Sequence, residues 1–286
     1  MMQENRRLND PSYTRKILNY VIARQNEDGG YTFCQGAESN AQDTYYGLSI
    51  LQMLNASFPS VEKTIKFLRG LDFDSAYSTY YIIKALLLCS EKTDRNLRKN
   101  DASIVNLPKY LDPRNVFSEV ASELTTTFMT LELADLPGRK IDTSKAAECL
   151  LKFKNSDGGF GLNKNSNINS TYYAVASLNL LTRNIRDLHE TIQFVRRCEK
   201  PLGGFTVTPI SATPYMEHTY YGLMTLNLLG EKCRYPSQTI DFITKCQNNN
   251  GGFARSDLGI STFEYTFQAI SAMKIIEKQE IAKPFF

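Results

Sequence analysis

The chain contains no tryptophan, only two histidines, no C-x-x-C pair and no long uninterrupted apolar run. Each shortage narrows the field. Without tryptophan, the aromatic content rests on 16 tyrosines and 16 phenylalanines. Imidazole chemistry is confined to His189 and His218. His189 stands among charges in Arg186-Asp187-Leu188-His189-Glu190 and reads as solvated, which leaves His218 as the histidine of chemical interest. Six scattered cysteines without C-x-x-C spacing point away from a thiolate metal ribbon or redox motif and suit a reduced, cytoplasmic protein. The longest apolar stretch, Ile82 to Cys89, holds Lys84 and falls well short of the roughly 20 residues a membrane-spanning helix needs. Met1 to Asp10 is polar and charged, so neither a secretory leader nor a transmembrane segment is expected. A net charge of +3 is too mild for nucleic-acid binding, and the basic run from Arg95 to Lys99 reads as a solvated loop.

What the chain does have is one phrase written four times: Gly29-Gly30-Tyr31, Gly158-Gly159-Phe160, Gly203-Gly204-Phe205 and Gly251-Gly252-Phe253. About a dozen residues later comes a second phrase, Asp43-Thr44-Tyr45-Tyr46-Gly47-Leu48, Ser170-Thr171-Tyr172-Tyr173-Ala174 or His218-Thr219-Tyr220-Tyr221-Gly222-Leu223. Decayed copies stand at Ser78-Thr79-Tyr80-Tyr81, Thr126-Thr127-Phe128-Met129 and Glu264-Tyr265-Thr266-Phe267. Six units result, at approximately 12–55, 60–90, 104–136, 143–182, 187–230 and 236–277 of a single domain spanning 1–286. A unit this short cannot bury its apolar face alone and must stack on its neighbours.

Each unit reads as two helices. The first is amphipathic, with apolar residues such as Ile17, Leu18, Val21 and Ile22 at three- and four-residue spacing. The glycine pair is expected to end it. The second, expected to begin after Asp43, Ser170 or His218, is apolar nearly all round and therefore buried. Cys198 and Cys246, in one column before the glycine pairs, read as core thiols. A stack needs polar end caps, and the sixth unit keeps its full glycine–aromatic motif, so closure onto the first unit is expected. The fold class is all-α, an (α/α)6 toroid with a central cavity.

In such a ring the inner-helix starts share one mouth. The residue before the threonine is sampled there as Asp43, Ser78, Thr126, Ser170, His218 and, by alignment of the apolar run, Glu264. Most of these are helix N-cap types. His218, Glu264 and Asp43 come from successive units and together suit a divalent metal or acid–base work; a lone histidine held by Glu217 is the plainer alternative. The tyrosine-rich inner helices, including Tyr45, Tyr80, Tyr172, Tyr220 and Tyr265, would line the cavity for a long apolar ligand such as an isoprenoid. Roughly one aromatic of each adjacent pair is expected to face inward.

These motifs resemble those of protein prenyltransferase β-subunits and, more distantly, the squalene-cyclase group. Both families carry repeats of Gln or Cys-Gln, a spacer and Gly-Gly-aromatic, which stand here as Gln25 to Tyr31 and Cys246-Gln247 to Phe253. The resemblance covers nearly the whole chain and implies the α/α toroid. It implies a prenyltransferase-like function, handling of a prenyl diphosphate in an aromatic cavity, and a helical partner protein. It marks His218 as the zinc histidine and Tyr172 as the conserved-type tyrosine of the site, both in catalytic roles. It marks Lys164 as the nearest diphosphate-binding candidate. The two other zinc positions, matched to Asn169 and Thr171, lack ligand chemistry. Asp72-Phe73-Asp74-Ser75 is similar to the cyclase acid motif but lacks its last aspartate. The expected function is transfer of an isoprenoid by way of a His218-centred metal; a non-catalytic isoprenoid-, lipid- or peptide-binding toroid and a terpene cyclase-like protein remain as alternatives.

Overall fold

A computed structural model describes residues 7–93, 124–134, 143–182 and 185–281. The first part of the third unit and the Arg95-to-Lys99 run lie outside these residues. The outer helices are α1 (Pro11–Ile22), α3 (Val61–Arg69), α6 (Thr143–Leu151), α8 (His189–Cys198) and α10 (Pro236–Lys245). The inner helices are α2 (Ala41–Met53), α4 (Ala76–Thr93), α5 (Leu124–Ala134), α7 (Ile168–Thr182), α9 (Met216–Leu228) and α11 (Phe263–Ile281). Local chemistry starts these helices. Asp10 caps α1 by accepting from Ser12 N, with Pro11 in the first turn, and Asn40 caps α2 by accepting from Asp43 N at 2.8 Å.

The inner helices pack in a cycle: α2 on α4, α4 on α5, α5 on α7, α7 on α9, α9 on α11, and α11 back on α2. The fold is the double-layered toroid. The joint lies at the glycine pairs. The first glycine of each has positive φ (Gly29 +89°, Gly158 +86°, Gly203 +99°, Gly251 +92°) and lies beneath the next unit's outer helix. A Cβ at Gly158 would overlap the Glu190 carbonyl, one at Gly203 the Gln238 carbonyl, and one at Gly251 the Lys16 carbonyl. The last of these is the closure of unit six upon unit one. Four residues further along each outer helix an aromatic ring seats on the second glycine: Phe67, Phe194, Phe242 and Tyr20.

The glycine pairs therefore do not stop the outer helices. Helix α1 ends at Ile22 and α10 at Lys245, several residues before Gly29 and Gly251. The pairs instead form a turn that slides under the neighbour. The inner helices likewise begin earlier than expected, two residues before Asp43, Ser170 and His218, at Ala41, Ile168 and Met216. Their caps lie three residues before Asp43, Ser78 and Ser170, at Asn40, Ser75 and Asn167, each accepting from the backbone N–H three residues on.

The repeated threonine joins the two phrases of a unit. Its hydroxyl accepts from the backbone N–H of the motif aromatic and donates to the carbonyl four residues back. Tyr31 N binds Thr44, Phe160 N binds Thr171, Phe205 N binds Thr219, and Phe253 N binds Thr266, all at 3.0–3.1 Å. The aromatic side chains, Tyr31, Phe160, Phe205 and Phe253, are fully buried between the layers. The residue three after the threonine is small because that ring lies against it: a Cβ on Gly222 would overlap the Phe205 ring. Cys198 and Cys246 are buried, and burial pushes both thiols up to about 12.

The closure makes Gly251 the most telling glycine. Gly251→Ala is expected to lose about 1–2 kcal/mol from left-handed backbone and roughly 1–3 kcal/mol more from overlap with Lys16. Gly36 has φ +86° but open space around it, so Gly36→Ala carries only the first cost. Urea unfolding of the two variants measures the difference; equal losses would mean that unit six does not press on unit one.

Candidate functional site

The threonine register decides which side chains face the lumen. One residue after it, the six inner helices present Tyr45, Tyr80, Phe128, Tyr172, Tyr220 and Phe267, and all six line an inner cavity of about 210 Å³. Their rings touch in sequence around the ring. Centroids lie 6.3 Å apart for Tyr45–Tyr80, 6.0 Å for Phe128–Tyr172, 6.1 Å for Tyr172–Tyr220, 5.9 Å for Tyr220–Phe267 and 6.3 Å for Phe267–Tyr45. Between Tyr80 and Phe128 the link is polar. Tyr80 donates to Glu132 at 2.5 Å, and Lys84 Nζ stands 2.7 Å from the same carboxylate.

The next residue along each helix, Tyr46, Tyr81, Met129, Tyr173, Tyr221 or Gln268, also lines this cavity. Both members of each aromatic pair thus face inward, not one. A narrow ring of six helices lets each helix show a wide arc, so neighbours about 100° apart both reach the lumen. The second tyrosines pair through their hydroxyls, Tyr46 with Tyr81 at 3.1 Å and Tyr173 with Tyr221 at 2.8 Å. Burial raises the hydroxyl pKa of every lumen tyrosine, so all stay protonated at neutral pH.

Above this belt a wider chamber of about 750 Å³ shares Tyr81, Met129, Tyr173 and Tyr221 with it. The residue two before the threonine lines its mouth: Gln42, Tyr77, Thr125, Asn169 and Glu264. Unit six therefore reads one residue out of the expected register. Thr266, not Tyr265, holds the motif aromatic, so Tyr265 is the counterpart of His218 and Glu264 that of Glu217. Phe267 takes the lumen position; Tyr265 lines neither cavity.

His218 is 5% exposed. Its Nε2 stands 3.7 Å from Glu217 Oε1, an oxygen also held by Arg255 at 2.6 Å, and its buried Nδ1 has no partner. Burial lowers its pKa; Glu217 opposes this and Arg255 adds to it. The imidazole is neutral at pH 7. The Asp43 carboxylate is occupied locally, accepting from Phe33 N at 3.1 Å and Asn40 Nδ2 at 2.9 Å. The Glu264 pKa is raised by burial and then by the negative charges of Glu217 and Asp43. Lys164 is exposed and lines neither cavity, although Leu162, Asn163 and Asn165 beside it do.

A family model for the prenyltransferase alpha-alpha toroid domain matches residues 1–76, 67–164 and 102–284. The chain belongs to this family. The toroid also superposes on the structure of Candida albicans protein geranylgeranyltransferase-I complexed with GGPP. The TM-score is 0.76 with 15% identity, over 93% of this chain and 92% of that one. At that identity the likeness establishes the fold. No curated protein matches the chain in sequence.

The zinc chemistry implied by prenyltransferase resemblance meets a poor donor set. Among the described residues no three of His, Cys, Asp and Glu gather so as to hold a metal ion. His218, Glu264 and Asp43 do not form a ligand set, because Asp43 is turned to its own helix cap and Glu264 stands one register step away. Thr171 is the loop-holding threonine, so the positions equivalent to His218 and Tyr220 in the preceding unit are Ser170 and Tyr172. Neither supplies a thiolate or carboxylate. These residues do not fit a zinc ion. The cyclase acid fares no better: Asp74 accepts from Ser78 Oγ at 2.5 Å in solvent, and that bond holds its carboxyl below the usual range, the reverse of a proton donor's need.

Sequence reasoning missed Tyr46, Tyr81, Tyr173 and Tyr221 as a second lining layer, and missed Gln268, Glu132 and Lys84. The signal for the last two was available: each stands five residues after its threonine, one turn below the aromatic belt. The raised Glu264 pKa gives a test of the rim. A carboxyl whose folded pKa exceeds its unfolded value of about 4.5 destabilises the fold above that value. Glu264→Gln is expected to raise the melting midpoint at pH 7.5, with the gain fading as pH falls through Glu264's raised folded pKa and vanishing below about pH 4.5. A gain independent of pH would contradict the shift.

Proposed function

We propose that this toroid binds the apolar chain of an isoprenoid- or lipid-like ligand in its aromatic lumen. The observation that carries this reading is the belt formed by one aromatic ring from each of the six inner helices. With neighbouring centroids about 6 Å apart, a six-membered belt leaves each ring about 6 Å from the axis. A single hydrocarbon chain then meets ring edges at about 4 Å, the distance of van der Waals contact. Aromatic faces and edges suit branched alkyl groups, and burying them contributes about 25 cal/mol per Å² of apolar surface.

The two chambers divide the work. At about 210 Å³ the belt cavity lies below the roughly 300–1,000 Å³ of small-molecule sites, so it takes the end of a chain and not a whole ligand. The outer chamber, at about 750 Å³, falls within that range and leaves room for the remainder. Binding is the part of a prenyltransferase's work that the described side chains support; the transfer step is not assigned, since the ligands for its metal are not among them.

The test is binding of a dansyl-tagged farnesyl chain followed by fluorescence. Saturable binding is expected. Phe267→Ala, which opens the belt between Tyr220 and Tyr45, should weaken it about tenfold. Unsaturable binding, or no effect of Phe267→Ala in a variant that keeps its helical signal and melting midpoint, would remove the lumen as the site.

A further inference from the structure

The walls of the two chambers bear on what the polar end of the ligand must be. Among the described residues lining either one there is no lysine or arginine. Their ionisable acids are Glu132, already shared by Lys84 and Tyr80, and Glu264. Arg255, the cation near the rim, is engaged by Glu217 through both Nε and Nη2. A diphosphate carries several negative charges and is ordinarily met by cations or clustered N–H donors. The outer chamber offers neutral amides and hydroxyls, with the Glu264 carboxylate among them.

Two acceptors stand buried and unused. Gln268 is 2% exposed, lines the inner cavity, and its Oε1 has no hydrogen-bond partner. Its Nε2 faces Glu264 Oε1 at 3.3 Å, so turning the amide over would set its carbonyl against the Glu264 carboxylate. Asn169 lines the outer chamber, and its Oδ1 is also buried without a partner. A buried acceptor left unsatisfied is costly, and its usual explanation is a partner that is not part of the chain.

We infer that the ligand's polar end is a hydrogen-bond donor, a hydroxyl or more strongly an amine, seated at the Gln268–Glu264 pair where the two chambers meet, and that a prenyl diphosphate is the disfavoured form. This rests on the lumen reading above and names the head group for it. The donor satisfies the Gln268 carbonyl, an ammonium gains the Glu264 carboxylate as well, and a diphosphate would meet that carboxylate with repulsion.

Isothermal titration at pH 7.5 with farnesylamine, farnesol and farnesyl diphosphate, chains of one length with three head groups, tests this. The amine and the alcohol are expected to bind at least about tenfold more tightly than the diphosphate. Gln268→Leu, close in volume but without the acceptor, should narrow the gap between alcohol and diphosphate; Glu264→Gln should narrow the gap between amine and alcohol. Each variant is first checked for an unchanged helical signal, and Gln268→Met replaces Gln268→Leu if the latter fails to fold. A diphosphate that binds as tightly as the alcohol overturns the head-group inference and leaves the lumen reading standing. Failure of all three to bind overturns both.

Discussion

The contact between a glycine without a side chain and the carbonyl of the next unit's outer helix governs the architecture. Each first glycine has left-handed backbone and lies where a Cβ would strike that helix, so the loop can pass beneath its neighbour only with glycine there. The same step repeated from Gly29 to Gly251 turns a stack of hairpins into a ring, because the last copy meets Lys16 of the first helix. Without that final contact there is no enclosed lumen, and the aromatic belt would be a row of half-exposed rings on an open curve.

The threonine of the second phrase sets what each inner helix then shows to the lumen. Its hydroxyl ties the helix start to the backbone of the buried motif aromatic, which fixes helix rotation. Rotation in turn assigns roles by offset: two before for the mouth, one and two after for the aromatic walls, five after for the level of Lys84 and Glu132. His218 stands one before the threonine, off the lumen arc, packed edge-on against Tyr215 and bounded by the Glu217–Arg255 pair. A neutral histidine in that setting is held as part of the rim.

Much of this was legible in the residues. The repeat announced itself through glycine pairs and the threonine–tyrosine phrase, and the intact sixth motif foretold closure. Tyr45, Tyr80, Tyr172 and Tyr220 line the cavity together because their phrases share one register. The errors came where identity of type replaced identity of register. Glu264 was aligned with His218 by the apolar run after it, whereas the hydroxyl contact to Phe253 N fixes Thr266 and moves Glu264 one place back. Asn169 and Thr171 stand where the family resemblance puts the other two zinc positions and lack ligand chemistry, and Thr171 in addition holds Phe160 N. Lys164 is the nearest candidate in its loop to the family's diphosphate-binding positions, and nearness along the chain says nothing of direction. The Gln268 carbonyl could not be found by motif, since it depends on how its amide is turned in the lumen, whereas the Glu132–Lys84 pair was open to the shared offset of five after the threonine.

The most direct test concerns closure of the ring between its ends. Helices α2 and α11 touch at Met53 and Ser271, whose sulfur and hydroxyl lie 3.5 Å apart although 218 residues separate them in the chain. Cysteines placed at these positions (Met53→Cys with Ser271→Cys) and treated with a short thiol crosslinker, followed by peptide mass spectrometry, should give the 53–271 link within one chain in high yield and at every protein concentration. A link that forms only between chains, or not at all while the protein stays helical, would mean that the first and last units do not meet and that the lumen is open.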